Sequence, residues 1–141
     1  MTQNQFIGTW KLISAEVRSE DGQINYPYGT DAIGYIIYNP DGYMAVVIMN
    51  ANRTKFGSQD IKSGTTEEKA SAAETYVSYC GKYEIHEHTV IHHLDVSLFP
   101  NWINTDQERF FKFEGNRLTL STDPFLILGK QQTAHLIWEK V

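Results

Sequence analysis

One cysteine, Cys80, stands in a chain of 141 residues, so no intramolecular disulfide can form and burial must hold the fold. Cationic charge is scarce as well: twelve Lys and Arg face seventeen Asp and Glu, a formal net charge of −5. That balance gives no footprint for a phosphate backbone and no attraction to an anionic membrane surface, so neither nucleic acid nor membrane is an expected partner. No apolar run approaches the ~20 residues of a membrane-spanning helix; they are as short as Met44 to Met49. The opening Met-Thr-Gln-Asn-Gln-Phe has neither a basic start nor an apolar stretch. No secretory leader is read there, and a cytoplasmic location is expected. Gly-rich phosphate loops and a nucleophile elbow are missing too, and no cofactor is implied.

What is present is aromatic. Eight Tyr, seven Phe and three Trp supply the apolar mass for a core, and the length is that of one domain over 1–141. Eight strand-like runs follow one another: Gly8 to Arg18, Tyr35 to Tyr38, Tyr43 to Met49, Gly81 to His86, Thr89 to Leu98, Gln107 to Glu114, Arg117 to Thr122 and Thr133 to Lys140. Asn39-Pro40-Asp41-Gly42 and Gly115-Asn116 supply turn chemistry between them. One segment departs from the pattern. Thr65-Thr66-Glu67-Glu68 is a capping-box signature followed by helix formers, which predicts a helix from about 66 to 79 stopped by Gly81. The fold expected is an all-β antiparallel barrel or sandwich with one inserted helix.

Alternation assigns faces. In the run from Gln107 to Glu114, the charges of Glu108, Lys112 and Glu114 belong in water, which turns Arg109, Phe111 and Phe113 inward. Trp138, Leu136 and Ala134 share a face. A two-residue turn at Glu87-His88 puts His92 on the inner face with Tyr83; a bulge would instead bring in His93, Asp95 and Ser97. The inner set expected is Trp10, Leu12, Tyr35, Ile37, Met44, Val46, Ile48, Tyr83, Ile85, His92, Leu94, Val96, Arg109, Phe111, Leu118, Leu120, Leu136 and Trp138.

Gly8-Thr9-Trp10 resembles the Gly-x-Trp fingerprint of lipocalins, in which the Trp closes one barrel end. Four segments are similar to the bacterial and fungal lipocalin-like domain family. They are Phe6 to Leu12, Gly34 to Gly42, His92 to Trp102 and Leu118 to Thr122. The resemblance implies an eight-stranded lipocalin-like barrel of calycin type around a cavity for a small, mostly apolar molecule. It implies no single activity. The chain departs from secreted lipocalins in lacking a leader and a disulfide, and in placing its helix after the third strand.

Three functional readings follow. The first is an intracellular barrel binding a small apolar or aromatic molecule with a polar or anionic end, its lumen lined by Arg109, His92, Tyr83, Tyr35, Trp102, Phe111 and Trp138. An Arg suits a carboxylate, enolate or phenolate through paired hydrogen bonds. The second is a small cyclase, isomerase or dehydratase using the same cavity, with His92, His93 or Asp95 as acid-base candidates. The third is a scaffold or partner-binding domain, favoured by a filled lumen with an exposed apolar patch. His86-Glu87-His88 and His92-His93 form a dense imidazole cluster, but they flank a turn without a placed third ligand, and no metal is expected.

Overall fold

The computed structural model describes residues 5–141. Ten strands alternate with short turns: β1 (Gly8–Ser19), β2 (Ile24–Asn25), β3 (Ile33–Tyr38), β4 (Tyr43–Met49), β5 (Tyr76–Ile85), β6 (Thr89–Ser97), β7 (Asp106–Glu114), β8 (Arg117–Ser121), β9 (Phe125–Ile127) and β10 (Lys130–Lys140). The sheet runs β1-β3-β4-β5-β6-β7-β8-β10 and closes by β10 pairing back to β1, a closed antiparallel eight-stranded barrel. These eight are the strands the sequence marks; β2 and β9 are short additions. Both additions sit at one end. β1 pairs with β3 over Gly8 to Lys11 but carries β2 at Val17 and Arg18. β10 pairs with β8 over His135 to Glu139 but carries β9 over Lys130 to Gln132. The barrel is therefore flanked by extra strands at one mouth.

The opposite end is plugged by aromatics. Trp10 is buried, its Nε1–H donates to the Phe6 carbonyl at 2.8 Å, and the Lys140 ammonium lies 4.6 Å from its ring centroid. Phe6 meets Tyr38, Phe111 and Phe113 edge-on at about 5 Å between centroids, the favoured geometry for aromatic quadrupoles.

The helix α1 (Thr66–Glu74) has the expected capping box: Thr65 Oγ1 accepts from Glu68 N–H at 3.1 Å, and Glu68 accepts from Thr65 N–H at 2.8 Å. It ends five residues earlier than the sequence suggests. α1 buries no residue, so packing gives nothing to extend it. Tyr76 and Val77 instead pair with Met49 and Ile48 and start β5. Tyr76 and Tyr79 thus belong to a strand, not to a helix face.

Phase also differs in three places. On β3 the inward residues are Ile36 and Tyr38, whereas Tyr35 and Ile37, expected inside, face solvent at 39% exposure each. Both faces of this strand are apolar, so alternation alone is blind; its pairing of Ile36 with inward Trp10 decides. On β1 an extra residue, Ile13, shifts the phase so that Ala15 and Val17 follow Trp10 and Leu12 into the core. On β6 the extra residue is Asp95, because Leu94 pairs with Gly81 while Val96 pairs with Cys80. The expected two-residue turn at Glu87-His88 is present, with His86 and Thr89 closing it, and His92 points inward. The bulge comes after His92, so it leaves His93 outside, exposes Asp95 and Val96, and turns only Ser97 back.

Gly81 makes that bulge possible: a Cβ there would lie 1.8 Å from the His93 carbonyl oxygen. Gly81→Ala is expected to destabilise the barrel by about 3 kcal/mol, the upper range for overpacking. Urea denaturation checks this, and an unchanged midpoint would contradict the close approach of β5 and β6.

Candidate functional site

The inward residues of the flared half do not meet. They leave a cavity of about 120 Å³ reaching the mouth, walled by Val46, Ile48, Val77, Leu120, Leu136 and Trp138, with Tyr28, Phe125 and Ile127 around the opening. Trp102, on the 3-10 turn Pro100–Trp102, lines it and stands edge-on to Tyr79, centroids 6.0 Å apart. Arg109 reaches it from β7 and is the one cationic side chain in the lining.

Arg109 has no carboxylate within ion-pair distance among the described residues; its Nη1 donates to the Glu108 carbonyl at 3.0 Å. Asp95, which a bulge could have brought inward as a counter-charge, is on the surface because the bulge falls at Asp95 itself. Arg109 also stands beside the Tyr79 hydroxyl, where its charge and hydrogen bonding act against the upward push that burial gives the Tyr79 pKa.

Tyr79 leads to a polar clamp beneath the cavity. His92 is fully buried, with Tyr38 Oη 2.7 Å from its Nε2 and Tyr79 Oη 2.8 Å from its Nδ1. Burial pushes the His92 pKa well below its ordinary value, and the charges of Arg109 and His93 add to that. The ring is therefore neutral and carries one N–H. One hydroxyl proton is left over in either tautomer, and Tyr38 donating to Nε2 leaves it on Tyr79, which lines the cavity, rather than on Tyr38 in the packed core. The imidazole proton then sits on Nδ1 and is donated to Tyr79 Oη, leaving the Tyr79 O–H to point elsewhere. Trp138, also in the cavity wall, has a buried Nε1 with no hydrogen-bond partner among the described residues.

Of the residues marked from sequence, Arg109, Trp102 and Trp138 line the cavity, and His92 stands one layer behind it. Tyr83 lies deeper, donating to the Asn39 carbonyl at 2.8 Å, and Phe111 belongs to the aromatic plug. Tyr35 is outside the barrel. His93 is outside as well, held by Asp106 at 2.6 Å and Glu84 at 3.0 Å. The imidazole cluster is thus split between lumen and surface. Sequence reading misses Tyr38, Tyr79, Ala15 and Val17. The alternation Ala15-Glu16-Val17-Arg18, out of step with Trp10 and Leu12, carried the signal for the last two.

A barrel closed by Trp10 at one end, with an apolar cavity at the other, defines the class. The lipocalin-like domain family matches residues 7–141, and the chain belongs to it. A protein of Aspergillus oryzae (strain ATCC 42149 / RIB 40), named 4'-hydroxy-3'-methoxypropiophenone carrier protein ppsC, is 35% identical over 107 residues. The match covers 70% of this chain and 96% of that protein.

The two histidines of β6 set opposite pH limits. Unfolded His92 titrates near ~6.5, and below that value the unfolded chain binds a proton that the folded chain refuses. Stability then falls by up to about 1.4 kcal/mol per pH unit. His93 has its pKa raised, first by the Asp106 hydrogen bond, so its contribution is present below the unfolded value and lost as pH rises through the folded one. A folded His92→Gln variant is expected to show a flatter loss of stability between about pH 6.5 and 5, by urea denaturation at stepped pH. An unchanged slope would mean that His92 is protonated in the fold.

Proposed function

We propose that this chain is a non-catalytic carrier of a small molecule built on one aromatic ring, with a polar or anionic group directed at Arg109. The observation that carries this is an apolar cavity of about 120 Å³ whose one cation lacks an anionic partner among the described residues. A dry cavity of ~150 Å³ takes up a benzene ring, so the size suits a single ring whose substituents extend to the mouth. The named ligand of the Aspergillus relative, a hydroxylated and methoxylated phenyl ketone, is of that kind and supports the reading.

The enzymatic alternative has less support. His92 has both nitrogens engaged and stands behind Tyr79, while His93 and Asp95 face solvent. A binding role needs only shape and Arg109. The partner-binding alternative has one of its two conditions: Ile33, Tyr35, Ile37 and Val47 leave an apolar outer face, but the lumen is not filled.

Isothermal titration against a hydroxyphenyl ketone and a long saturated fatty acid separates these readings. The ketone is expected to bind one to one, and the fatty acid, too long for the cavity, to bind weakly or not at all. Arg109→Met is expected to weaken ketone binding by about 1.5–3 kcal/mol, the range for a charged hydrogen bond, with the melting temperature held because no carboxylate is stranded. Tighter binding of the fatty acid would overturn the one-ring assignment.

A further inference from the structure

We infer that the lumen takes its ligand as an oxyanion, the phenolate of an acidic aryl hydroxyl seated between the Arg109 guanidinium and the Tyr79 hydroxyl. This rests on the carrier reading and specifies its ligand's charge state. The argument is a count of donors and acceptors. Arg109 offers only donors and so does the indole of Trp138, whose buried Nε1–H has no partner among the described residues. Tyr79 joins them. The clamp delivers the His92 Nδ1–H to its oxygen, so its own O–H is the remaining donor. Burial holds that proton on Tyr79 at neutral pH.

Acceptors are few. Glu16, the carboxylate in the cavity's residue set, lies between inward Ala15 and Val17 on β1 and is engaged by Arg18 Nε at 2.6 Å. Thr122 Oγ1 accepts from Ala134 N–H at 2.9 Å and keeps one lone pair, and the Tyr28 hydroxyl, protonated because burial raises its pKa, can accept but carries no charge. Glu108 and Asp123 line a neighbouring cleft of about 190 Å³ with Arg109, yet neither forms an ion pair with it. A neutral phenol would find only uncharged hydroxyl oxygens for its proton and would leave the guanidinium unneutralised. A phenolate meets donors already in place and neutralises a half-buried guanidinium that forms no ion pair among the described residues. Desolvating the anion is costly, and the unpaired cation with two or more aimed hydrogen bonds offsets that cost.

The test uses 4-nitrophenol, whose phenolate absorbs visible light, and its methyl ether 4-nitroanisole, each titrated into the full chain. Bound 4-nitrophenol is expected to ionise at least about one pH unit lower than free, a tenfold preference for the anion. It is also expected to bind more tightly than the ether at neutral pH. Arg109→Met is expected to abolish the downward shift while calorimetry still registers a bound ring, and Tyr79→Phe to reduce it. Binding with an unchanged or raised ionisation, or equal affinity for phenol and ether, overturns the phenolate assignment and leaves the carrier reading standing. Failure of both molecules to bind overturns both.

Discussion

A single buried imidazole, held at both nitrogens by tyrosines from different strands, organises this barrel. Tyr38 on β3, Tyr79 on β5 and His92 on β6 form one hydrogen-bonded line across the lumen. Each polar atom in it is buried, so losing any partner would strand a donor or acceptor at a cost of about 1–3 kcal/mol. On one side of the line, Phe6, Tyr83, Phe111 and Phe113 pack the barrel shut. On the other, aliphatic side chains line the space without filling it. The clamp is therefore both the roof of the core and the floor of the cavity.

Two single-residue insertions place the cavity where it is. The extra residue Ile13 on β1 shifts small Ala15 and slender Val17 inward opposite Leu136 and Ala134. Small residues facing one another make room that Trp10 and Leu12 do not leave lower down. The extra residue Asp95 on β6 turns Val96 outward beyond Leu94, so an apolar side chain is withdrawn from the lumen near the mouth. Bulges re-aim side chains without breaking a barrel, and here both act to empty one half of it. Arg109 comes from β7, a strand without such a shift, whose strict alternation keeps it aimed inward.

The strands and the turn residues were legible in the sequence because charge alternation on β7, β8 and β10 and the Asn39-Pro40-Asp41-Gly42 turn are local signals. So was Arg109, for the same reason. These signals left barrel and sandwich open, and closure was implied only by the resemblance to lipocalin-like domains. The position of His92 followed from hairpin parity, which depends only on the length of the Glu87-His88 turn. Tyr79 was not legible. Its neighbours Ala70 to Glu74 favour a helix, and only pairing with Val46 on β4 and Ser97 on β6 makes that position a strand. Likewise Tyr35 and Ile37 carry no local mark of facing outward, since Ile36 and Tyr38 are just as apolar. Register with β1, a contact between residues about 25 apart, is what sorts them. Non-local pairing thus hid both tyrosines of the clamp, while local alternation exposed the cation that faces it.

The central claim is that the flared half of the lumen is a receptor for one ring with its oxygen on Arg109 and Tyr79. A crystal structure of the chain soaked with a hydroxyphenyl ketone tests it most directly. The account predicts ring density among Ile48, Leu120 and Trp138, with an oxygen in hydrogen-bond reach of both the Arg109 guanidinium and the Tyr79 hydroxyl. Density confined to the surface groove between α1 and residues 53–61, lined by Met49, Phe56, Ile61 and Ala72, or a lumen closed by rearranged side chains with Arg109 turned to solvent, would contradict it.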